Sequence, residues 1–144
     1  MVKQTDSEIG FLELVPGVSV RDYGCLTIAL FNILQKHERC KSGFTDFLNA
    51  IKTAGGYTKE GLLRWDAVKV VCGMEHRMMK LSDSFRSEDR YEYIVQIPYK
   101  STGHFCEVKY ISKSGLIIYA DSYDGVMKEI ERRSCLSVRE LMFI

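Results

Sequence analysis

The spacing of apolar residues divides the chain in two. Leu26, Ala29, Leu30, Ile33 and Leu34 recur at helical intervals, which predicts a helix that opens at Cys25 and is closed by the polar run QKHERCKSG. A second helix carries Phe44, Phe47, Leu48 and Ile51 on one face and stops at Gly55-Gly56. Thr58 reads as the N-cap of a third, shorter helix, with Leu62, Leu63, Trp65, Ala67 and Val68 as its apolar residues and Gly73 as its stop. From Met74 onward the pattern is that of strands, at about residues 75–81, 91–99, 104–112 and 115–121. Within HFCEVKYI the alternation puts His104, Cys106, Val108 and Tyr110 on one face and Phe105, Glu107, Lys109 and Ile111 on the other. Lys113-Ser114-Gly115 has the composition of a hairpin turn, and the final VRELMFI reads as a closing strand or a short helix. Helices first and strands afterwards predict an α+β fold, N-terminal helices packed on a C-terminal antiparallel sheet, in one domain spanning 1–144.

Composition narrows the function more than the fold. A chain of 144 residues buries roughly 70% of its unfolded surface, enough for a core without staples. A net charge of +1 and the lack of a basic run give no electrostatic reason to expect nucleic acid as a partner. No segment has the run of about 18 apolar residues that a membrane span needs, and the N-terminus lacks the layout of a signal peptide. The expectation is a protein made in the cytoplasm and not inserted in a membrane; action outside the cell would need another route. Five irregularly spaced cysteines argue against a disulfide framework and for buried thiols at most positions.

One of these thiols stands apart. DYGCLTIALFNIL places Cys25 directly after a glycine-bearing turn and at the mouth of a helix, where first-turn N–H groups and the helix dipole stabilise a thiolate. A nucleophile needs a base, and the chain has only His37, His76 and His104. His104 opens a strand, and the next strand ends at Asp121. Antiparallel strands joined by a short hairpin bring their outer ends side by side, so His104 and Asp121 are expected neighbours. Cys25 as nucleophile, His104 as base and acid, and Asp121 as the carboxylate that orients the imidazole form a set suited to acyl transfer. The Cys25 N–H would be one oxyanion donor, and no cofactor is called for. Asp121 also starts DSYDG, where it would make an Asx turn compatible with that role.

These motifs resemble the papain-like cysteine peptidases, and more closely the bacteriocin leader peptidase-like proteins of bacteria and phages. The residues that carry the resemblance are Gly24-Cys25, Gly103-His104-Phe105 and Asp121-Ser122-Tyr123-Asp124-Gly125, with FTDFLNAIKTAGGYTKEGLLRW and YIVQIPY between them. It covers about Val15 to Gly125. It implies a papain-like fold, cleavage of a peptide or peptidoglycan-type amide bond, and bacterial or phage origin, with delivery outside the cell as a phage or secreted component. It also implies oxyanion or substrate-binding roles around Ser19, Gly24 and Gly103. The chain departs from that family at one point. Members that cleave peptides carry a Gln five or six residues before the Cys as an oxyanion donor, and Ser19 and Val20 stand there instead. The Ser19 hydroxyl and the Gln4 amide, reaching in from the N-terminal arm, are the alternative donors. A papain-like binding or assembly module without turnover is the competing reading. The sequence leaves the oligomeric state undefined.

A metal site is not expected. His37 with Cys40 and Cys72 with His76 have spacings that zinc can use, but they fall at the ends of different helices and lack a Cys-x-x-Cys knuckle. Trp65 is expected to fill the interface between the third helix and the sheet.

Overall fold

The computed structural model describes residues 1–99 and 102–144. The elements follow in the order β1 (Glu13–Val15), β2 (Val18–Ser19), α1 (Val20–Tyr23), α2 (Cys25–Lys36), α3 (Phe44–Thr53), α4 (Trp65–Cys72), β3 (Met74–Met78), β4 (Tyr91–Tyr99), β5 (Thr102–Ile111), β6 (Ile117–Ala120), β7 (Met127–Ile130) and β8 (Ser137–Phe143). The fold is α+β. Strands β3 to β8 form an antiparallel sheet in the order β3-β8-β4-β5-β6-β7, and β1 with β2 makes a small second sheet.

Helix α2 is the centre of the molecule. A surface helix buries one stripe, but here every residue from Leu26 to Leu34 is buried. Helix α3 and strand β5 pack against it, and the N-terminal arm adds a further cover, where Asn32 bonds both the N–H and the C=O of Val2 at 2.9 Å. The resulting core joins α2, α3 and α4 to Ile94, Leu141 and Phe143 from one face of the sheet. The opposite face holds a second core, with Val95, Cys106, Val108, Ile117, Tyr119 and Val138.

The strand expectations at 91–99, 104–112 and 115–121 coincide closely with β4, β5 and β6, and Gly115, at φ 88°, makes the hairpin turn. The final segment is a strand, and a central one, because it pairs with both β3 and β4. Three local expectations are corrected. Thr58 does not cap a helix: its hydroxyl accepts from Leu62 N–H at 3.1 Å inside a turn where Gly61 has φ 85°, and α4 starts only at Trp65. The turn before Cys25 is itself one turn of helix, α1. Tyr110 leaves the face of His104, Cys106 and Val108, since the register shifts between Val108 and Tyr110 and leaves the tyrosine 59% exposed. Strand β7 was not anticipated; its MKEI is short and half-exposed.

Trp65 lies against β3 and β8, stacked on His76 at 4.2 Å with the Arg139 guanidinium 5.1 Å from its ring. His37 is held by Glu92 at 2.6 Å, and Cys72 is in the core. Among the described residues, no helix is long and apolar enough to cross a membrane.

Candidate functional site

Helix α1 runs almost directly into α2, with Gly24 as the last cap of one and the first of the other. A Cβ at Gly24 would stand 2.7 Å from the Val20 carbonyl oxygen, so only glycine lets the chain turn this sharply. The turn delivers Cys25 to the first position of α2, half-buried, where backbone N–H groups have no intrahelical acceptor.

The other half of the site comes from the sheet. Strand β6 pairs with β5 only as far as Ala120 opposite Glu107, so Phe105 has no strand partner on that side. Side chains take the place of the missing strand: Phe105 N–H donates to Cys25 Sγ at 3.4 Å, and the Ser122 hydroxyl donates to the Phe105 carbonyl at 2.8 Å. The helix start is thus docked on the strand one residue beyond His104.

His104 Nε2 lies 2.7 Å from Asp121 Oδ1, which leaves Nδ1 for another partner. Cys25 and Cys106 are the two thiols near enough to this imidazole to favour its charged form. Burial works against a charge on His104, but the bond to Asp121 and the nearby Cys106 and Cys25 outweigh it and push the pKa up. Asp121 Oδ1 also accepts the Tyr123 N–H at 2.9 Å, the Asx turn expected of DSYDG, and Lys128 Nζ sits 2.6 Å from Oδ2. Burial raises the Asp121 pKa, yet His104, Lys128 and the Tyr123 N–H together hold it well below the usual carboxylate range.

His104, Cys106 and Asp121 form a buried cluster whose ligand atoms lie within 4.8 Å of one another. Two thiols therefore flank one imidazole, and they differ in access. Cys106 is 0% exposed, whereas Cys25 lines a cleft of about 860 Å³ together with Gly103, His104 and Phe105.

The remaining expected residues are placed as follows. Gly103 borders the cleft. The Ser19 hydroxyl is used as the cap of α1, accepting from Asp22 N–H and donating to its carboxylate, both at 3.2 Å, and it is not part of the cleft wall. Gln4 does reach the cleft, but its amide nitrogen donates to the carbonyls of Val20 at 2.9 Å and Arg21 at 2.8 Å. Its own N–H donates to the Ser122 carbonyl at 2.8 Å, so the arm ties α1 to the loop after Asp121. Sequence reasoning missed Lys128, which only the Asp124-Lys128 spacing hinted at, and Cys106, which strand alternation does put beside His104.

Comparison with protein-family models, with curated proteins and with solved structures finds no match to this chain.

Proposed function

We propose that the protein is a cysteine hydrolase of papain-like type that cleaves an amide bond in a peptide or a peptidoglycan-type substrate. The observation that carries this reading is one cleft lined by both Cys25, docked by Phe105 N–H at 3.4 Å, and His104, whose imidazole lies 2.7 Å from Asp121.

In this reading the proton rests on His104, Cys25 is held as the thiolate of that ion pair, and Sγ attacks the carbonyl carbon. The tetrahedral oxyanion faces the Cys25 N–H at the start of α2, which has no acceptor among the described residues. His104 then gives the proton to the leaving nitrogen as the C–N bond breaks, leaving a thioester. Water, deprotonated by His104, attacks that thioester, and the acid product leaves as the ion pair of Cys25 and His104 is restored. Asp121 fixes the ring so that Nδ1 faces the thiol, and Lys128 keeps Asp121 ionised.

A binding module without turnover is favoured by one observation: Ser19 and the Gln4 amide are both committed to α1, so neither offers a second oxyanion donor. The two readings separate when wild type, Cys25→Ala and Cys106→Ser are incubated with a mixed peptide library and a peptidoglycan digest. New amine and acid ends made by wild type and Cys106→Ser but not by Cys25→Ala are expected. Products that persist in Cys25→Ala overturn the proposal, and retention of peptides with no cleavage by any of the three favours the module.

A further inference from the structure

The cleft wall around Cys25 is mostly apolar, with Leu26, Leu63, Trp65 and Phe105 facing it, while Arg21 and Glu60 are exposed at the mouth. Polar groups deeper in the wall are largely spent. Thr27 and Tyr57 bond each other at 2.6 Å, and the Gln4 amide nitrogen is held by two carbonyls. Gln4 Oε1 is buried without a partner among the described residues, and Gln96 offers a side-chain amide donor. It stands on β4 directly opposite Phe105, half-buried in the cleft wall.

Three observations fix its amide. The Ser137 hydroxyl donates to Oε1 at 2.8 Å, which turns the oxygen toward β8 and the nitrogen the other way. The nitrogen lies over Gly103: a Cβ added there would be 2.2 Å from Nε2 and 2.7 Å from Cγ, so the amide fills the space that any other residue would take. Nε2 donates to no acceptor among the described residues. Few polar groups in an apolar pocket set its specificity, and a fixed donor left without an acceptor penalises the wrong ligand.

We infer that Gln96 is the specificity-determining residue of this cleft, reading a side-chain carbonyl or carboxylate oxygen on the residue that packs against Gly103. The inference rests on the cleft being a peptide site. It selects Asn, Asp, Gln or Glu over Leu or Phe at that one position. Gly103 serves as the platform that lets the amide lie flat.

The test uses binding, so it does not depend on turnover. A synthetic hexapeptide library is passed over the full chain carrying Cys25→Ala, alone and with Gln96→Met, Gln96→Glu or Gly103→Ala, and retained peptides are sequenced by mass spectrometry. Thermal unfolding confirms that each variant is folded. The Cys25→Ala chain should enrich acceptor side chains at one position by about 10- to 100-fold. Gln96→Met and Gly103→Ala should lose that enrichment, and Gln96→Glu should turn it toward Lys and Arg. The same preference in all four chains, or no retained peptide in any, overturns the inference. Selection that follows Gln96 without cleavage by wild type sinks the hydrolase reading alone; cleavage whose preference ignores Gln96 sinks this inference alone.

Discussion

Phe105 N–H donates to Cys25 Sγ across 80 residues of sequence, a strand amide satisfied by a helix side chain where a neighbouring strand has ended. This bond ties the thiol to the strand that carries His104, and it sets Cys25 apart from the other cysteines. Burial pushes the Cys72 thiol up to about 12 and Cys135 up to about 11, and Cys106 has no exposed surface. At neutral pH iodoacetamide should therefore modify Cys25 first, as followed by peptide mass mapping. His104→Ala should slow that modification by about tenfold or more. Equal rates at Cys25 and Cys40, or an unchanged rate in His104→Ala, would remove the base from the site.

The Asp121 pair carries a signed pH dependence. Asp121 has a folded-state pKa below the unfolded value of about 3.9, so its contribution to stability is present above about pH 4 and is lost as pH falls through the lowered value. His104 has a folded-state pKa above about 6.5, so its contribution is full below that pH and is lost only as pH rises through the raised value. Both are complete between about pH 4 and 6.5. Asp121→Asn should lower the free energy of urea unfolding most in that window, with the difference shrinking toward about pH 2. Lys128→Met removes one of the bonds that hold Asp121 ionised and should move the acid unfolding transition, followed by circular dichroism, to higher pH. Coincident transitions in Lys128→Met and wild type would leave Lys128 without this role.

Much of this arrangement was legible in local patterns. The stripe from Leu26 to Leu34 gave α2, and the short hairpin around Gly115 was enough to bring His104 beside Asp121. What was not legible depended on distant chain segments. Asn32 and Thr27 are polar residues of α2, yet both are buried, because the N-terminal arm and Tyr57 supply their partners. The Ser19 hydroxyl was available to an oxyanion only if residues 20–23 were a loop; once they form α1, a serine at its N-cap bonds the third residue of the turn instead. Gln96 carries no local signal at all, since its orientation comes from Ser137 on a strand that follows 41 residues later.

Gln4 joins the two halves of the site from the side. Its amide satisfies the Val20 and Arg21 carbonyls that end α1, while its backbone holds the Ser122 carbonyl. Gln4→Leu strips both carbonyls of a buried donor and should destabilise the fold by about 1–3 kcal/mol in urea unfolding. Gln4→Glu should be at least as harmful, because it sets a carboxylate against two carbonyl oxygens. A Glu variant as stable as wild type would show that the amide nitrogen is not the group that matters.

At Gly24 the constraint is steric. An added methyl would meet Val20 O at 2.7 Å and Val20 Cα at 2.8 Å, and backbone cannot step aside as a side-chain tip can. Gly24→Ala should destabilise by about 1–3 kcal/mol. It should also shift Cys25 relative to Phe105, so iodoacetamide modification slows even well below the melting temperature. A variant that loses stability but keeps the Cys25 rate would separate the turn from the docking of the thiol.

Glu107 provides the opposite sign to Asp121 on the same strand system. It is 2% exposed, its Oε1 has no partner among the described residues, and burial raises its pKa despite the Lys109 ammonium 3.3 Å away. A carboxyl whose folded pKa is raised favours the fold below its unfolded value of about 4.3 and loses that advantage as pH rises through the folded value. Glu107→Gln keeps the shape and removes the titration. The stability of wild type relative to Glu107→Gln should therefore fall as pH rises above about 4.3, measured by urea unfolding at each pH. The same comparison for Asp121→Asn should rise from about pH 2 to 4, and a Glu107 difference that is flat or rises with pH would mean that Lys109 fully compensates the buried charge.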